Sequence, residues 1–561
     1  MIAVRGIYIS GRLRSAAGPL RPGDWVSMTT RVWTLVFVLI VVVLYCGALN
    51  RLSLTDPDEV FYSQTAKEMM QQSSYVTPLI FGHPQYEKPP LFYWLLIAAF
   101  KIEGVTRAAA RFVPSLCGLL GIVATFLFCR RVFNPEIAWL AGILLATSAI
   151  YLAMSEAVLT DITLSLFMMV AFYGFYLWTL ERRDLHLYLF GVAAALAVLT
   201  KGPVAIVILL PATVLYLLLL REFTLLRHYL IHPWVLLFGV VCAPWYADIM
   251  ARDGKAFFKE FIVHDNIDRI FYAEHQNFDH WWFYFATVAA GLFPWTFELT
   301  MMGRGWKRYK REHLFFLLWF AVTFTVFEIA RSKLASYVLP LIPAVVIPLA
   351  ISLSSVRLRL SSKAVLSVMQ LISGIALVVL PSMVTREYRD ITTAGAVNGI
   401  RFFGGVLIAC SVLLWRGRIK EAILTKACGV AILVILLGSG MTVALDRSVA
   451  DAFIGNIVDL EHYGDQPILT DRHYARGVYF YTGNPVVVMD HKPQPFWSPH
   501  PIEIISSQAE IERFFGSRDR VLCVVEDAHA VELDRMFEGR RVSRRIANDG
   551  YKVVVMSEKI E

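Results

Sequence analysis

Three carboxylates lie within four residues of one another in the segment LTDPDEVFY, directly after the first long apolar stretch of the chain. A carboxylate can accept a proton in catalysis, or bind the hydroxyl and amino groups of a sugar. Asp56 has the position of a helix N-cap, whereas Asp58 and Glu59 would begin a helix after Pro57. We predict catalytic roles for Asp58 and Glu59, and stabilisation of the helix N-terminus is the alternative for each.

A further carboxylate, Asp161, follows the segment SEAVLT where a later apolar stretch begins. An ionised group at the border of a lipid bilayer is costly unless it has partners, and such groups are commonly functional. We therefore predict a catalytic role for Asp161 as well, with N-capping of its helix as the alternative.

Cations in four separate segments suit the binding of phosphate groups. Lys88 lies in YEKPPLFYW, Lys201 in LTKGP, Arg269 in VHDNIDRIFYAEHQ and Lys333 in RSKLASYVLPLIPA. Near a bilayer surface these side chains would lie at the height of lipid phosphates. A lysine there can also simply extend its charged end to water, which is the alternative interpretation. We predict that these four residues bind the phosphate groups of a substrate.

Glu87 and His264 are candidate ligands for a divalent metal ion, together with a neighbouring acid. Their spacing is not diagnostic, and we favour a solvated loop for the segment that contains His264. No cofactor is required by the sequence, and a metal ion is the one candidate.

The elements that must position these residues are membrane-spanning helices. Of the 561 residues, 57% are hydrophobic and 17% are charged, and apolar runs long enough to cross a bilayer recur from Val32 to Leu445. The net charge of +8 comes from Lys and Arg in the loops between these runs, so it requires no nucleic acid. The composition predicts an α-helical polytopic membrane protein.

The basic segment 1–31 predicts a cytoplasmic N-terminus, since positive charge marks the cytoplasmic side. It does not resemble a cleavable signal peptide, and Met28 is an alternative start. The apolar piece 89–100 is too short to cross a bilayer, so we predict a helix at the outer membrane interface. If it crossed, Arg130 and Arg131 would face outwards, against the charge rule.

If 89–100 does not cross the membrane, the chain has about thirteen spans. Every second loop is then basic and lies in the cytoplasm, and all the candidate residues lie on the outer side. The transmembrane domain would cover 32–445, with outer loops at 50–108 and 249–280. The predicted spans are 32–49, 109–129, 135–153, 159–180, 186–200, 204–220, 231–248, 281–300, 313–330, 335–353, 364–384, 399–415 and 427–445.

The tail, residues 446–561, has a different character and would lie outside the membrane on the same side as the candidate residues. Strand-type runs (QPILTD, GVYFYTGNPVVVMD, RVLCVVED, YKVVVM) alternate with helix-type runs (SQAEIERFFGS, AHAVELDRMF). This pattern predicts a small α/β domain. It contains no glycine-rich phosphate loop, so no nucleotide is implied.

At these residues the chain resembles the GT-C superfamily of polyprenyl-phosphate-sugar glycosyltransferases, whose hallmark is an acidic motif in the first outer loop, here DPDE. Within that superfamily it is most similar to the lipid A 4-amino-4-deoxy-L-arabinose transferase family. Phe61 departs from the arginine common at that place in the family. The matching positions are Pro57, Asp58, Glu59 and Tyr62, then Tyr86 to Pro89, Asp161, Lys201 to Pro203, and Lys333 to Pro340.

The resemblance implies a bacterial inner-membrane enzyme that moves aminoarabinose from undecaprenyl phosphate to a lipid A phosphate, with inversion at the anomeric carbon. The less negative lipid A would then give resistance to polymyxin and cationic peptides. Lys88 and Arg269 would neutralise the leaving phosphate, and Lys201 or Lys333 would hold the acceptor phosphate. Tyrosines at three of the matching motifs would contact the substrates, namely Tyr62, Tyr86 and Tyr337.

Two other functions fit the sequence less well. One is a related transferase that uses another sugar or a protein acceptor, as in protein O-mannosylation. The other is a lipid or solute transporter, which is disfavoured because the chain lacks paired Gly/Pro-interrupted spans in two halves. The expected partners are the lipid-linked sugar, lipid A and the bilayer, and no protein partner is predicted.

Overall fold

The computed structural model describes residues 37–45, 53–55, 58–268, 280–304, 306–354, 360–384, 394–490, 502–548 and 552–560. Among the residues considered above, Asp56, Pro57 and Arg269 lie outside this described part, as does the predicted basic segment 1–31. Of the first predicted span, only 37–45 is described, and it is helical.

Helices form most of the described part of the membrane domain. In chain order they are 37–45 (α1), Asp58–Gln71 (α2), Leu91–Glu103 (α3), Arg107–Val132 (α4), Pro135–Ala146 (α5), Ala149–Glu156 (α6), Thr160–Glu181 (α7), Asp184–Lys201 (α8), Val204–Leu219 (α9), Phe223–Ile231 (α10), Trp234–Phe257 (α11), Phe283–Gly291 (α12), Lys310–Ile329 (α13), Ile342–Ser354 (α14), Leu360–Val384 (α15), Ala394–Trp415 (α16) and Ile419–Ser448 (α17).

Within the described residues, nine helical segments are long and apolar enough to cross a membrane, or ten if α5 and α6, bent by 61°, form one span. The predicted polytopic helical architecture is thus confirmed, while the count of thirteen spans stays a prediction. The predicted span 281–300 is not one helix. It divides into α12 and the 3₁₀-helix Thr296–Met301, with Pro294 between them, because proline cannot donate the backbone hydrogen bond that a continuous helix needs.

The first outer loop of the sequence folds into two helices, α2 and α3, that pack on each other through buried aromatic side chains. Helix α3 has 13 residues and ends at Gly104, whose φ of 82° is one that side-chain-bearing residues rarely adopt. The short helix predicted over 89–100 is therefore present. Its position at the membrane interface stays a prediction.

The tail is an α/β domain, as predicted. Its sheet has six strands in the order β5-β4-β3-β6-β8-β7. Strands β3 to β6 run parallel to one another, and β8 runs antiparallel to both of its neighbours, β6 and β7. A two-stranded ribbon, Leu79–Ile80 (β1) and His83–Pro84 (β2), precedes it in the chain. The domain's elements are Ala452–Leu460 (α18), Ile468–Asp471 (β3), Ala475–Thr482 (α19), Val486–Met489 (β4), Glu503–Ile505 (β5), Gln508–Gly516 (α20), Arg520–Glu526 (β6), Asp527–Met536 (α21), Arg541–Asn548 (β7) and Lys552–Lys559 (β8).

One strand prediction in the tail is wrong. The run GVYFYTGNPVVVMD contains the end of helix α19 as well as strand β4, and Gly483, with a φ of 76°, ends the helix. The aromatic residues that favour a strand are here used to pack α19 on its neighbours. Phe480 belongs to the core that joins α2 and α3, so tertiary contact overrides the local preference.

The tail domain lies directly on helix α2. Lys67 of α2 donates a hydrogen bond to the backbone carbonyl of Phe480 at 2.7 Å, and the rings of Phe81 and Tyr479 are 4.7 Å apart. The helix that begins with Asp58 is therefore held on one side by the membrane helices and on the other by the tail domain.

A buried ion pair ties together the last helices of the membrane domain. Lys426 Nζ lies 2.6 Å from Glu298 Oε1, which also accepts a hydrogen bond from Gln370 at 2.8 Å. The side chains of Lys426 and Glu298 are 1% and 5% exposed, so each charge depends on the other for compensation.

We predict that Lys426→Met lowers the free energy of unfolding by about 3–5 kcal/mol, because it leaves the Glu298 carboxylate buried without its cation. The matched control is Lys420→Met, since Lys420 pairs with Glu136 at the surface, where the pair contributes at most about 1 kcal/mol. Thermal unfolding of the purified variants in detergent measures both. Equal effects of the two substitutions would contradict the prediction.

Candidate active site

Helix α2 presents two neighbouring carboxylates in different environments. Asp58 is exposed in its first turn, whereas Glu59 is buried. Glu59 Oε2 lies 2.8 Å from the guanidinium of Arg111 and accepts the backbone N–H of Thr55, and Oε1 accepts the N–H of Val158. Glu59 thus fixes α2 to α4 and to the segment before α7.

Sequence reasoning missed Arg111, the partner of Glu59. It lies in the run RAAARFVPS at the start of an apolar span, and an arginine at that position was a signal that a buried acid would be found nearby. Besides Glu59, Arg111 donates to the backbone carbonyls of Ser53 and Glu156.

Tyr62 brings three of the predicted acids together. Burial raises the pKa of the Tyr62 phenol far above its ordinary value, and the negative charges of Asp58, Glu87 and Asp161 raise it further. These acids come from three separate segments of the chain, and all three lie within electrostatic reach of the Tyr62 phenol. The ring of Tyr62 packs edge-on against Phe92 of α3.

Asp161 and Lys201 form a buried ion pair. Their Oδ1 and Nζ atoms are 2.6 Å apart, at the start of α7 and at the end of α8. Lys201 Nζ also lies 4.5 Å from the centre of the Tyr337 ring, a cation–π distance. Asp161 was predicted to be catalytic, and Lys201 was predicted to bind phosphate. The structure joins them in one ion pair, beside the predicted substrate contact Tyr337.

The structure explains why the motif LTKGP contains a glycine. Gly202 ends α8 with a φ of 88°, and a Cβ atom there would lie 2.7 Å from the ring of Phe261. A side chain is excluded on both grounds. Phe261 belongs to the π-helix Phe258–Asp268, so this close approach brings the segment that contains Asp265 up to the end of α8.

Lys88 pairs with Asp265 of that π-helix, at 2.9 Å, and donates to the backbone carbonyl of Glu87. Lys333 pairs with Glu328 at 2.8 Å, and its Nζ lies 5.7 Å from the centre of the Tyr284 ring. Of the three predicted phosphate-binding lysines, Lys88 and Lys333 are buried and Lys201 is partly buried, and each has a carboxylate partner.

The residues predicted as metal ligands lie near the Lys88–Asp265 pair. His264 is half exposed, with Nδ1 at 3.5 Å from Asp265 Oδ1. Glu87 is buried, and Glu260 of the π-helix, which sequence reasoning missed, lies within electrostatic reach of Glu87, Asp265 and His264. Their metal-binding role stays a prediction.

Tyr86 joins the same region. Burial, with the charges of Asp253 and Glu260 adding to it, raises the pKa of the Tyr86 phenol to about 12, so the hydroxyl stays protonated and can donate a hydrogen bond. Its backbone N–H points to Glu260 at 3.5 Å.

Another group in the described part of the chain has metal-ligand chemistry, formed by Asp184, His228 and His232. It lies at the other end of α8 from Lys201. His232 Nδ1 accepts the backbone N–H of Trp234 at 3.1 Å, so in the neutral ring the proton is on Nε2, the atom that faces Asp184. A protonated Nε2 cannot bind a metal ion, and we assign these residues to hydrogen bonding.

Comparison with known proteins agrees with this fold. The family model for dolichyl-phosphate-mannose-protein mannosyltransferases matches residues 28–253. Two crystal structures of ArnT from Cupriavidus metallidurans, one without ligand and one bound to undecaprenyl phosphate, align with TM-scores of 0.75 over 94% of this chain and 98% of theirs, at 21% and 22% identity. The chain therefore has the fold of these two structures, and the predicted GT-C type of fold is confirmed.

The curated relatives of this chain include named aminoarabinose transferases. An undecaprenyl phosphate-α-4-amino-4-deoxy-L-arabinose arabinosyl transferase of Proteus mirabilis is 27% identical over 55% of this chain. An uncharacterized protein of Aquifex aeolicus is 29% identical over 58% of this chain. The matches span 57% and 64% of the relatives' own lengths. The resemblance predicted from the motifs, to aminoarabinose transferases, is confirmed in sequence and in fold.

The contrast between Asp58 and Glu59 generates a stability prediction. Glu59→Gln removes the charge that compensates the buried Arg111, and we expect a loss of about 3–5 kcal/mol in the free energy of unfolding. Asp58→Asn is the matched control at the exposed neighbour, and we expect a change of at most about 0.5 kcal/mol. Thermal unfolding in detergent measures both, and a larger effect at Asp58 would overturn this assignment.

Proposed function

We propose that the chain transfers 4-amino-4-deoxy-L-arabinose from undecaprenyl phosphate to the phosphate groups of lipid A, at the periplasmic face of a bacterial inner membrane. The observation that carries the proposal is the set of three lysine–carboxylate pairs, buried or partly buried, near tyrosines at one end of an ArnT-like helix bundle. The names of the relatives supply the sugar and the lipid carrier.

The distribution of charge supports the periplasmic orientation. The end of α7 opposite Asp161 is basic, and there Arg131 pairs with Glu181 beside Arg182 and Arg183. Positive charge marks the cytoplasmic side, so the end that contains Asp161 would be periplasmic. The tail domain lies on α2 at that same end, and would share its side of the membrane.

The donor leaves as a lipid phosphate, which needs compensation of its charge more than it needs a proton. We propose that Lys88, with Arg269, supplies this compensation, and that Lys201 or Lys333 holds the acceptor phosphate. The carboxylates beside these lysines compensate their charge, and an arriving phosphate would replace or share that partner.

The acceptor phosphate would act as its own nucleophile. Its second pKa is about 6, so it is largely ionised near neutral pH and needs little help from a base. Asp58 and Asp161 would then orient the acceptor or bind the amino group of the sugar, while Glu59 keeps α2 in position. Direct displacement in one step gives inversion at the anomeric carbon.

Around these groups, Tyr62, Tyr86 and Tyr337 would contact the substrates through their rings and hydroxyls. Glu87 and His264, with Glu260 and Asp265 beside them, are the residues that would hold a divalent cation. Such an ion would add positive charge near the phosphates.

The consequence for the cell follows from charge. An aminopentose adds a positive amine and esterifies a phosphate oxygen, so lipid A becomes less negative and attracts cationic peptides such as polymyxin less strongly.

The mannosyltransferase family match favours one alternative, transfer of another lipid-linked sugar or transfer to a protein. With a hydroxyl acceptor, Asp58 would be a general base. Transport without covalent change is the alternative of another class.

Transfer between lipids in liposomes tests the function directly. With purified protein we expect label from undecaprenyl phosphate-aminoarabinose to appear on lipid A, and we expect Lys88→Ala to reduce this rate by about 10²–10³-fold, as removal of a group that stabilises developing charge does. Lys101→Ala, an exposed lysine at the end of α3, should retain full activity. Movement of intact donor across the bilayer without transfer would instead show a transporter.

The roles of the two aspartates give a second prediction. Asp58→Asn and Asp161→Asn keep the size of the side chain and remove its charge, and we expect each to lower kcat at least tenfold without losing a limb of the pH–rate profile. Positioning leaves the profile's shape unchanged, whereas loss of a general base removes its acidic limb. Wild-type rates in both variants would mean that these residues only cap their helices.

A further inference from the structure

The sheet of the tail domain reverses its direction of winding at one place. From β3 the chain proceeds to β4 and then β5 on one side, and it returns to β6 on the other side of β3. Where an open parallel sheet reverses in this way, a crevice forms outside the carboxyl ends of the two central strands, and ligands of such domains bind there. In this domain that place lies between the ends of β3 and β6.

Polar side chains meet at this place. Asp471 ends β3 and is buried, and its Oδ1 lies 2.8 Å from Nδ1 of His529, while its Oδ2 accepts the backbone N–H of Glu526 at the end of β6. His473, just beyond β3, has Nε2 at 3.6 Å from Glu526 Oε1. Asp471 holds the two strands together, and the half-exposed His473 and Glu526 stand at the opening.

The groups at this edge have complementary chemistry. The hydrogen bond to Asp471 raises the pKa of His529, so this ring tends to be cationic, whereas burial lowers the pKa of His473, which tends to be neutral. At the neighbouring strand end, Arg472 pairs with Asp490 at 3.2 Å. Carboxylates and a neutral imidazole suit hydroxyl groups, and the cations suit phosphate.

This edge faces the end of α2 that carries Asp58. Helix α19 leaves from the end of β3, and near its start the guanidinium of the buried Arg476 lies 6.0 Å from the centre of the Phe61 ring, one helical turn after Asp58. Further along, Phe480 of α19 meets Lys67 of α2. The two helices therefore run side by side in the same direction, with the ligand-binding edge of the sheet beside the first turn of α2.

We propose that the edge formed by Asp471, His473, Glu526 and His529, with Arg476 beside it, binds the phosphorylated saccharide headgroup of the acceptor lipid. The proposal rests on the proposed function, and it assigns the donor phosphate to the membrane-domain lysines and the water-exposed headgroup to the tail domain. The lipid chains of both substrates stay in the bilayer, so only a headgroup can reach this edge.

The variant that tests this site is His473→Ala combined with Glu526→Gln, since neither half-exposed side chain is needed to join β3 to β6. Its matched control is Glu503→Gln, an exposed glutamate at the amino end of β5 in the same sheet. With the full-length protein in liposomes, we expect the double variant to raise KM for lipid A about tenfold, the size of a lost hydrogen bond to a charged group, with KM for the donor unchanged. The control should change neither.

Binding of a soluble probe separates this inference from the function. A phosphorylated glucosamine disaccharide, the water-soluble headgroup of lipid A, should bind the wild-type protein and bind the double variant about tenfold more weakly, measured by calorimetry. If the wild type binds the disaccharide but transfers no sugar, the proposed function fails and this inference stands. Equal affinities in the wild type and the double variant, or a raised KM for the donor alone, would overturn the inference.

Discussion

The structure depends on the compensation of charge that is buried where apolar helices end. A lysine or carboxylate next to lipid is tolerated when an opposite charge is held against it, and removal of one partner costs several kcal/mol. The three lysine pairs and the Glu59–Arg111 pair all meet this requirement at one end of the bundle. A phosphate that exchanges with one of these carboxylates would take over the compensation of the lysine charge.

Two kinds of group share this end of the protein. Glu59 and Arg111 make contacts that position helices, and these contacts set the location of Asp58. The lysine pairs instead lie beside aromatic rings, as Lys201 does over Tyr337, where an anionic ligand could exchange with a carboxylate. The tail domain completes the arrangement, because α19 lies along α2 and starts near its first turns, where Arg476 lies over the ring of Phe61.

Local patterns in the sequence were sufficient for the helical membrane fold and the α/β tail, and they singled out Asp161 and Lys201 as candidates. They could not reveal that these two form one ion pair, because the contact joins residues 40 positions apart. Glu328 and Arg111 were missed for the same reason. The helix Ala475–Thr482 was predicted as part of a strand, since its aromatic residues favour strands and only docking on α2 decides otherwise.

The most direct test of the central claim is the mass of lipid A from cells that make undecaprenyl phosphate-aminoarabinose but lack a transferase of their own. Expression of this chain should add the mass of one or two aminopentose residues to lipid A phosphates, and expression of the Lys88→Ala chain should add none. Unmodified lipid A in cells that contain the wild-type protein in their membranes would contradict the account.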